Sequence, residues 1–493
     1  MNNIRLILTL LIFVPIVGFS QGYNVESIQT INNTSGGLAG SVLDASDYFG
    51  MGVEVIGDVD HDGVDDIAVG AYMDDDGGTD RGAVYILLLN SDGTVKGQHK
   101  ISELSGDIAF PSDSTYFGYS IAALGDLNGD GNVDIAVGAP HYYNLSVSKY
   151  TGVVYVLFLD DDGSVLEYGM ISEKGPGNWN FGGGPDLDDQ DGFGASVNNI
   201  GDLNKDGIPD LAIHASGDDD GGTDYGATYI AFLDYNGSAR NVQKISALSG
   251  SFGGTLSATS YFGDAVSVGD INGDGIIDLA IGSKYDDDGG TDRGAVWICF
   301  MNEDGTVDSE QKISDTQGGF TGVLDDSDFF GSGLVDVGDL DGDGIQELAV
   351  GAERDDDSGS DKGALWILYL NSDGTVRTFD KIGNDTILNV GVGTSDYLFT
   401  DISFFGDRNN DGKIDLLVGA WNASDGNSIN SGEVRVLHLD GIASYPQKKY
   451  YNAPGFVLAV KKLSDLSGEP LENELDGFDS FGYSSCNIGD LDG

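Results

Sequence analysis

Aspartates crowd one short stretch of this chain at a spacing that suits a hard cation. In Gly57 to Ala71, GDVDHDGVDDIAVGA, carboxylates stand at Asp58, Asp60, Asp62 and Asp66, with Gly63 between the last two. The pattern is D-x-[DN]-x-D-G-x-x-[DE], which places side-chain oxygens at loop positions 1, 3, 5 and 9. Like charges this close repel one another unless a divalent ion sits among them. Calcium accepts roughly six to eight oxygens in flexible geometry where magnesium demands an octahedron, so Ca2+ is the expected guest.

The pattern returns at Asp126, Asn128, Asp130 and Asp134, then at Asp202, Asn204, Asp206 and Asp210, and again at Asp270, Asn272, Asp274 and Asp278. It continues at Asp339, Asp341, Asp343 and Glu347, and at Asp407, Asn409, Asp411 and Asp415. A seventh copy begins at Asp490, three residues before the last residue, Gly493. Successive copies start 68, 76, 68, 69, 68 and 83 residues apart, which marks an array of equivalent units. The six complete loops hold 20 carboxylates and lead to an expectation of about six calcium sites. Asparagine at position 3 gives up a charge and keeps the oxygen, and Glu347 is long enough to bind side-on.

An EF-hand shares the first half of this pattern but requires a glutamate at position 12 and flanking helices. Position 12 of the first copy is Val69, within Ile67-Ala68-Val69-Gly70-Ala71, a run too rich in β-branched residues and glycine for a helix. The loop therefore joins two strands. Around it the first repeat reads Val53 to Ile56, the acidic loop, Ile67 to Ala71, an Asp74 to Asp80 turn, Gly82 to Leu89, the turn Asn90-Ser91-Asp92-Gly93, and an alternating run through Ser102. That is four strands and three turns, with apolar middle strands suited to burial between neighbouring units. Four-stranded units at this period suggest an all-β protein, a β-propeller.

Phe49-Gly50, Phe117-Gly118, Phe193-Gly194, Phe262-Gly263, Phe330-Gly331 and Phe481-Gly482 each precede an acidic loop, and Gly138-Ala139-Pro140 or a variant follows it. This pairing resembles the FG-GAP repeats of integrin α-subunit propellers, over roughly residues 45–493. The resemblance implies a seven-bladed β-propeller of four-stranded antiparallel blades, with the last blade incomplete in this chain. It also implies closure by one terminus completing the blade begun by the other. Ser27 to Asn33 then takes the place of a fourth strand, left without a partner because the seventh copy stops in mid-loop. Individual repeats depart from the pattern: Leu398-Phe399 replaces Phe-Gly, and His214 replaces the glycine before Ala215.

Hairpins of an antiparallel blade alternate between its ends, so a second repeated loop must lie opposite the calcium loops. It reads DDDGGTDRG from Asp74 and from Asp286, DDDGGTDYG from Asp218 and DDDSGSDKG from Asp355. A tight solvated turn is the expectation here, over a second cation site or a surface for a basic partner. Blades two and six break the pattern with His141-Tyr142-Tyr143 and Trp421-Asn422, and a longer connection brings in Trp179 and Phe181. Exposed aromatics such as Tyr143, Trp179 and Trp421 suit stacking on a glycan or anchoring an extracellular protein. Tyr85, Tyr155, Tyr229, Trp297 and Trp366 share one strand position and belong to the core.

One arginine, an apolar run from Leu6 to Val17 and Gly18-Phe19-Ser20 before Gln21 read as a secretory signal peptide over residues 1–20. The run is too short for a membrane span. Residues 21–493 then form a single propeller, secreted or at the cell surface. The formal charge of -59 excludes nucleic acid and anionic membrane as partners and favours cations. Cys299 and Cys486 fall in different repeats and are expected to be free thiols. The histidines His61, His99, His141, His214 and His438 are scattered and no catalytic set emerges. The chain reads as a non-catalytic, calcium-binding adhesion or ligand-binding module; the alternative is an accessory propeller of a larger secreted enzyme.

Overall fold

A computed structural model describes residues 24–440, save 39–42, 107, 111, 174–184, 358–360, 384–396, 409–410, 412 and 425–429. Trp179, Phe181, Asn409, Cys486 and the seventh repeat therefore lie outside the described residues, as does the signal-peptide stretch. Every long element is a strand, and no helix occurs among the described residues. The strands build six four-stranded sheets. Blade 1 runs Phe49–Gly57, Asp66–Ala71, Ala83–Leu89 and Val95–Ile101, in that spatial order. Blades 2 to 5 repeat the plan with inner strands Ser120–Gly125, Phe193–Gly201, Asp264–Gly269 and Phe330–Gly338.

Each repeat cannot bury its apolar faces alone, and the cores lie between blades. Six clusters of buried side chains fill the six interfaces, including one that joins Leu417, Val434 and Val436 of blade 6 to Phe49, Val53 and Tyr85 of blade 1. The middle strands are buried along their whole length on both faces, which is why they read as continuous apolar runs. Tyr85, Tyr155, Tyr229, Trp297 and Trp366 sit in these cores at 0 to 6% exposure, as expected from their shared register.

Two expectations are corrected. The described residues close a ring of six blades, not seven. And the N-terminal segment has a partner: Asn24–Ile31 is the outer strand of blade 6, paired antiparallel with Glu433–Asp440. Ile31 is fully buried at the junction with blade 1, and Asn32 Nδ2 donates to Glu433 Oε2 at 3.1 Å. The terminus thus completes the blade that shares a core with blade 1, so the ring closes without a seventh unit.

The Phe-Gly and Gly-Ala motifs are two halves of one blade-to-blade contact. A Cβ on Gly70 would lie 1.8 Å from the carbonyl oxygen of Gly118 in blade 2, and one on Gly419 would lie 1.9 Å from that of Gly50 in blade 1. Phe399 occupies the corresponding left-handed position in blade 6 at φ 72°, after fully buried Leu398. In blade 3 the glycine is His214, buried, with burial pushing its pKa down to about 3. Gly263 of the next blade, which a Cβ would bring within 2.3 Å of His214 Cδ2, adopts φ 150° where Gly50 has 91°.

Candidate metal centres and the opposite face

Each inner strand ends in a glycine paired across the hairpin with the position-9 carboxylate: Gly57 with Asp66, Gly125 with Asp134, Gly201 with Asp210, Gly269 with Asp278, Gly338 with Glu347, and Gly406 with Asp415. These six carboxylates are all fully buried at the foot of the loop. One oxygen of each accepts the backbone N–H of loop position 2, for example Leu127 N to Asp134 Oδ2 at 2.9 Å. Positions 1, 3 and 5, Asn409 aside, lie half-buried or exposed above them.

The loop backbone folds around its first carboxylate. Asp58 accepts the amides of Asp62 and Gly63, and Asp202 those of Asp206 and Gly207; Asp126 takes the amides of Gly129 and Gly131, and Asp270 and Asp339 those of loop positions 4, 5 and 6. Position 5 in turn accepts the amide of position 7, as in Val64 N to Asp62 Oδ1 at 3.0 Å. In blades 1 and 5 the turn converges carboxylate oxygens on one point. Asp58, Asp60 and Asp62 offer oxygens within 4.8 Å of one another, and so do Asp339, Asp341 and Glu347. In blade 6 the first carboxylate likewise accepts a loop amide, Asp411 N to Asp407 Oδ1 at 2.9 Å.

Two observations test whether a divalent ion fits. Asp134 Oδ1 and Glu347 Oε1 are buried oxygens with no hydrogen-bond partner. A buried acceptor left this way costs free energy that a ligand can recover. Burial also pushes the carboxyls of Asp66 and Asp278 up to about 6, of Asp134 to about 7, and of Asp210 and Glu347 to about 8. Among the described residues no cation is ion-paired directly to these five carboxyls, and an all-oxygen donor set of this kind matches calcium. In blade 6 the charge comes partly from His438, whose Nδ1 lies 2.9 Å from Asp415 Oδ1 and whose pKa is raised by that contact. Sequence reasoning left His438 without a role; its register opposite Asp415 on the third strand is the signal.

At the other end, the Asp-rich turns carry their own neutralisation. Asp74, Asp218, Asp286 and Asp355 are buried and pair with outer-strand Lys100, Lys244, Lys312 and Lys381 at 2.7, 2.7, 2.8 and 2.5 Å. Each lysine also lies over the core aromatic of its blade, Tyr85, Tyr229, Trp297 or Trp366. The turns are thus ion-paired within the blade.

An aromatic belt runs through five blades at this same end. Its ring contacts run from Tyr261 through Tyr285 and Phe329, across the Arg354 guanidinium to Tyr397, then through Trp421, Tyr48, Tyr72, Tyr116 and His141 to Tyr150. Tyr48, Tyr116, Tyr261, Phe329 and Tyr397 are held at φ between 47° and 60°. Blade 3 interrupts the belt with Gly192 and Ser216. Trp421 is half-buried within it, its Nε1 donating to Thr400 Oγ1 at 3.1 Å, and Tyr143 packs at 4.8 Å on Tyr150 in a short hairpin. Neither is the fully exposed aromatic expected. The belt was legible as the aromatic before four of the Phe-Gly pairs, at Tyr48, Tyr116, Tyr261 and Phe329.

The FG-GAP repeat model matches residues 49–87, 117–157, 262–299 and 334–368, which are blades 1, 2, 4 and 5. Four FG-GAP repeats are thus present in this chain. The two unmatched blades carry His214 and Leu398-Phe399, the departures described above. Among curated relatives, the chain is 32% identical to integrin alpha-6 of Gallus gallus over 171 residues, 34% of this chain and 14% of that protein. It is 32% identical to integrin alpha-X of Mus musculus over 179 residues, 13% of that protein. With phosphatidylinositol-glycan-specific phospholipase D of Dictyostelium discoideum it shares 26% identity over 413 residues, 80% of this chain and 41% of the relative. The alignments span about one-seventh of these integrins and two-fifths of the phospholipase.

Proposed function

We propose that this chain is a secreted or cell-surface, calcium-binding FG-GAP propeller that acts as a non-catalytic adhesion or ligand-binding module. The observation that carries the reading is the same carboxylate constellation at six hairpins, with buried, unpartnered oxygens at Asp134 and Glu347. Calcium occupies about six loops and offsets charge that the fold itself leaves unbalanced. Extracellular placement rests on the signal-peptide reading of residues 1–20. The partner, an extracellular protein or glycan, meets the end opposite the calcium loops, where the turns differ from blade to blade and the aromatics gather.

Melting with and without a chelator tests the calcium half, since a bound ion contributes about 2.7 kcal/mol per site at a hundredfold excess over Kd. Identical melts would sink it. For the partner half, Tyr143, Trp179 and Trp421 replaced together by alanine weaken capture of extracellular protein or glycan and leave the calcium response intact. Unchanged capture would move the functional face to the other end.

A second reading is supported by the extent of the phospholipase D alignment, which runs across 80% of the chain. In it the propeller is an accessory module of a larger secreted enzyme. What the reading frame encodes after Gly493 discriminates: a catalytic domain favours this reading, a membrane or sorting segment the first.

A further inference from the structure

The outer strands of blades 1 to 5 all begin with the same irregularity. In each, the register with the third strand shifts at the second residue, so that Lys96, Leu166, Arg240, Asp308 and Arg377 stand unpaired at a β-bulge. A bulge re-aims its extra side chain, and these strands start at the end where the calcium loops lie. Lys96 Nζ sits 2.8 Å from Asp60 Oδ2 and also bonds Asp62. Arg240 Nη1 sits 2.9 Å from Asp206 Oδ2. Arg377 bonds Asp341 through Nη2 and lies 2.6 Å from Asp343 Oδ2 through Nη1.

The oxygen these cations hold is the one an ion needs. At position 5 the first oxygen is committed to the turn, accepting the amide of Val64, Asn132, Ile208, Ile276 or Ile345 at 2.8 to 3.0 Å. The second oxygen remains. In blades 1, 3 and 5 a full positive charge occupies it, whereas in blades 2 and 4 it takes only the neutral amide of Asn128 at 2.9 Å or Asn272 at 3.0 Å.

We propose that Lys96, Arg240 and Arg377 are tethered counter-cations that make the loops of blades 1, 3 and 5 weak calcium sites, so that the loops of blades 2 and 4 fill first. The inference rests on the calcium reading above and adds an order of filling to it. Carboxylate count alone ranks blades 1 and 5 tightest, with four each; the tethers reverse that order. A divalent ion entering those loops must displace the tether or share its oxygens against like-charge repulsion, and the neutral amides of blades 2 and 4 oppose it far less.

Calorimetric titration of Ca2+ into the chelator-stripped full chain tests this. The expected isotherm has tighter and weaker classes, and Lys96→Met or Arg377→Met moves one site into the tighter class, with about a tenfold gain in its affinity. Leu166→Arg, at a position 56% exposed and therefore tolerant of the change, moves one site out of it. A single uniform class, or a Lys96→Met and Leu166→Arg pair that leave the isotherm as it was, overturns the inference while calcium binding stands. Absence of any bound calcium in the wild type fails the calcium reading itself and takes this inference with it.

Discussion

Asp328 and its counterparts Asp47 and Asp191 lie two residues ahead of the Phe-Gly phenylalanine in alternate blades, each 4 to 5% exposed. Each caps its own turn, as in Asp325 N to Asp328 Oδ2 at 2.7 Å. Burial pushes Asp47 and Asp328 up to about 7 and Asp191 to about 6, with the neighbouring Asp74, Asp355 and Asp218 adding to the shift. Because the folded pKa exceeds the unfolded value of 3.8, the folded chain holds protons that the unfolded chain has released between about pH 4 and 7. Stability from these groups is therefore greatest at mild acid and falls as pH rises through that window. Asp328→Asn keeps the acceptor for Asp325 and cannot ionise. In chelator, its advantage over wild type should grow from about pH 4 upward and reach on the order of 1 kcal/mol at pH 8 after solvent screening. Parallel pH profiles for the two proteins would refute the assignment.

At the scale of the element, the blade is a hairpin stack whose second strand must touch its neighbour's backbone. Gly70 is where that demand is sharpest, since a Cβ there would overlap the Gly118 carbonyl. Gly70→Ala should destabilise the chain by roughly 3 kcal/mol through forced backbone displacement, read as a lowered denaturant midpoint. The same change at Gly63, where a Cβ meets nothing within 4 Å, isolates the cost of positive φ from the cost of the clash. Equal losses at the two positions would show that blade contact is not what Gly70 serves.

For the whole molecule, one strand decides whether the ring is closed. Asn24–Ile31 covers the edge of Glu433–Asp440 and places fully buried Ile31 in the core shared by blades 6 and 1. Its removal uncovers a strand edge and forfeits at least one buried aliphatic side chain, worth about 1.5–3 kcal/mol. A variant starting at Asn32 should melt lower and be cleaved first within blade 6 under limited proteolysis. A variant with wild-type melting and protease resistance would mean that closure does not depend on this strand.

The amino-acid sequence by itself determined the repeat, the four-stranded unit, the carboxylate spacing of each acidic loop and the placement of the Asp-rich turns at the opposite end. Those properties are local: carboxylate spacing within nine residues, strand alternation and hairpin order need no distant contact. Blade number was not local. It depends on where Asn24–Ile31 pairs, a contact with residues some 400 positions away along the chain, and tertiary packing chose Glu433–Asp440. The tethers followed the same rule. Lys96 is an unremarked lysine in the sequence, and only a β-bulge brings its ammonium onto Asp60 and Asp62. The aromatic belt likewise joins residues of five blades, because curvature of the closed ring sets rings side by side that the chain holds far apart.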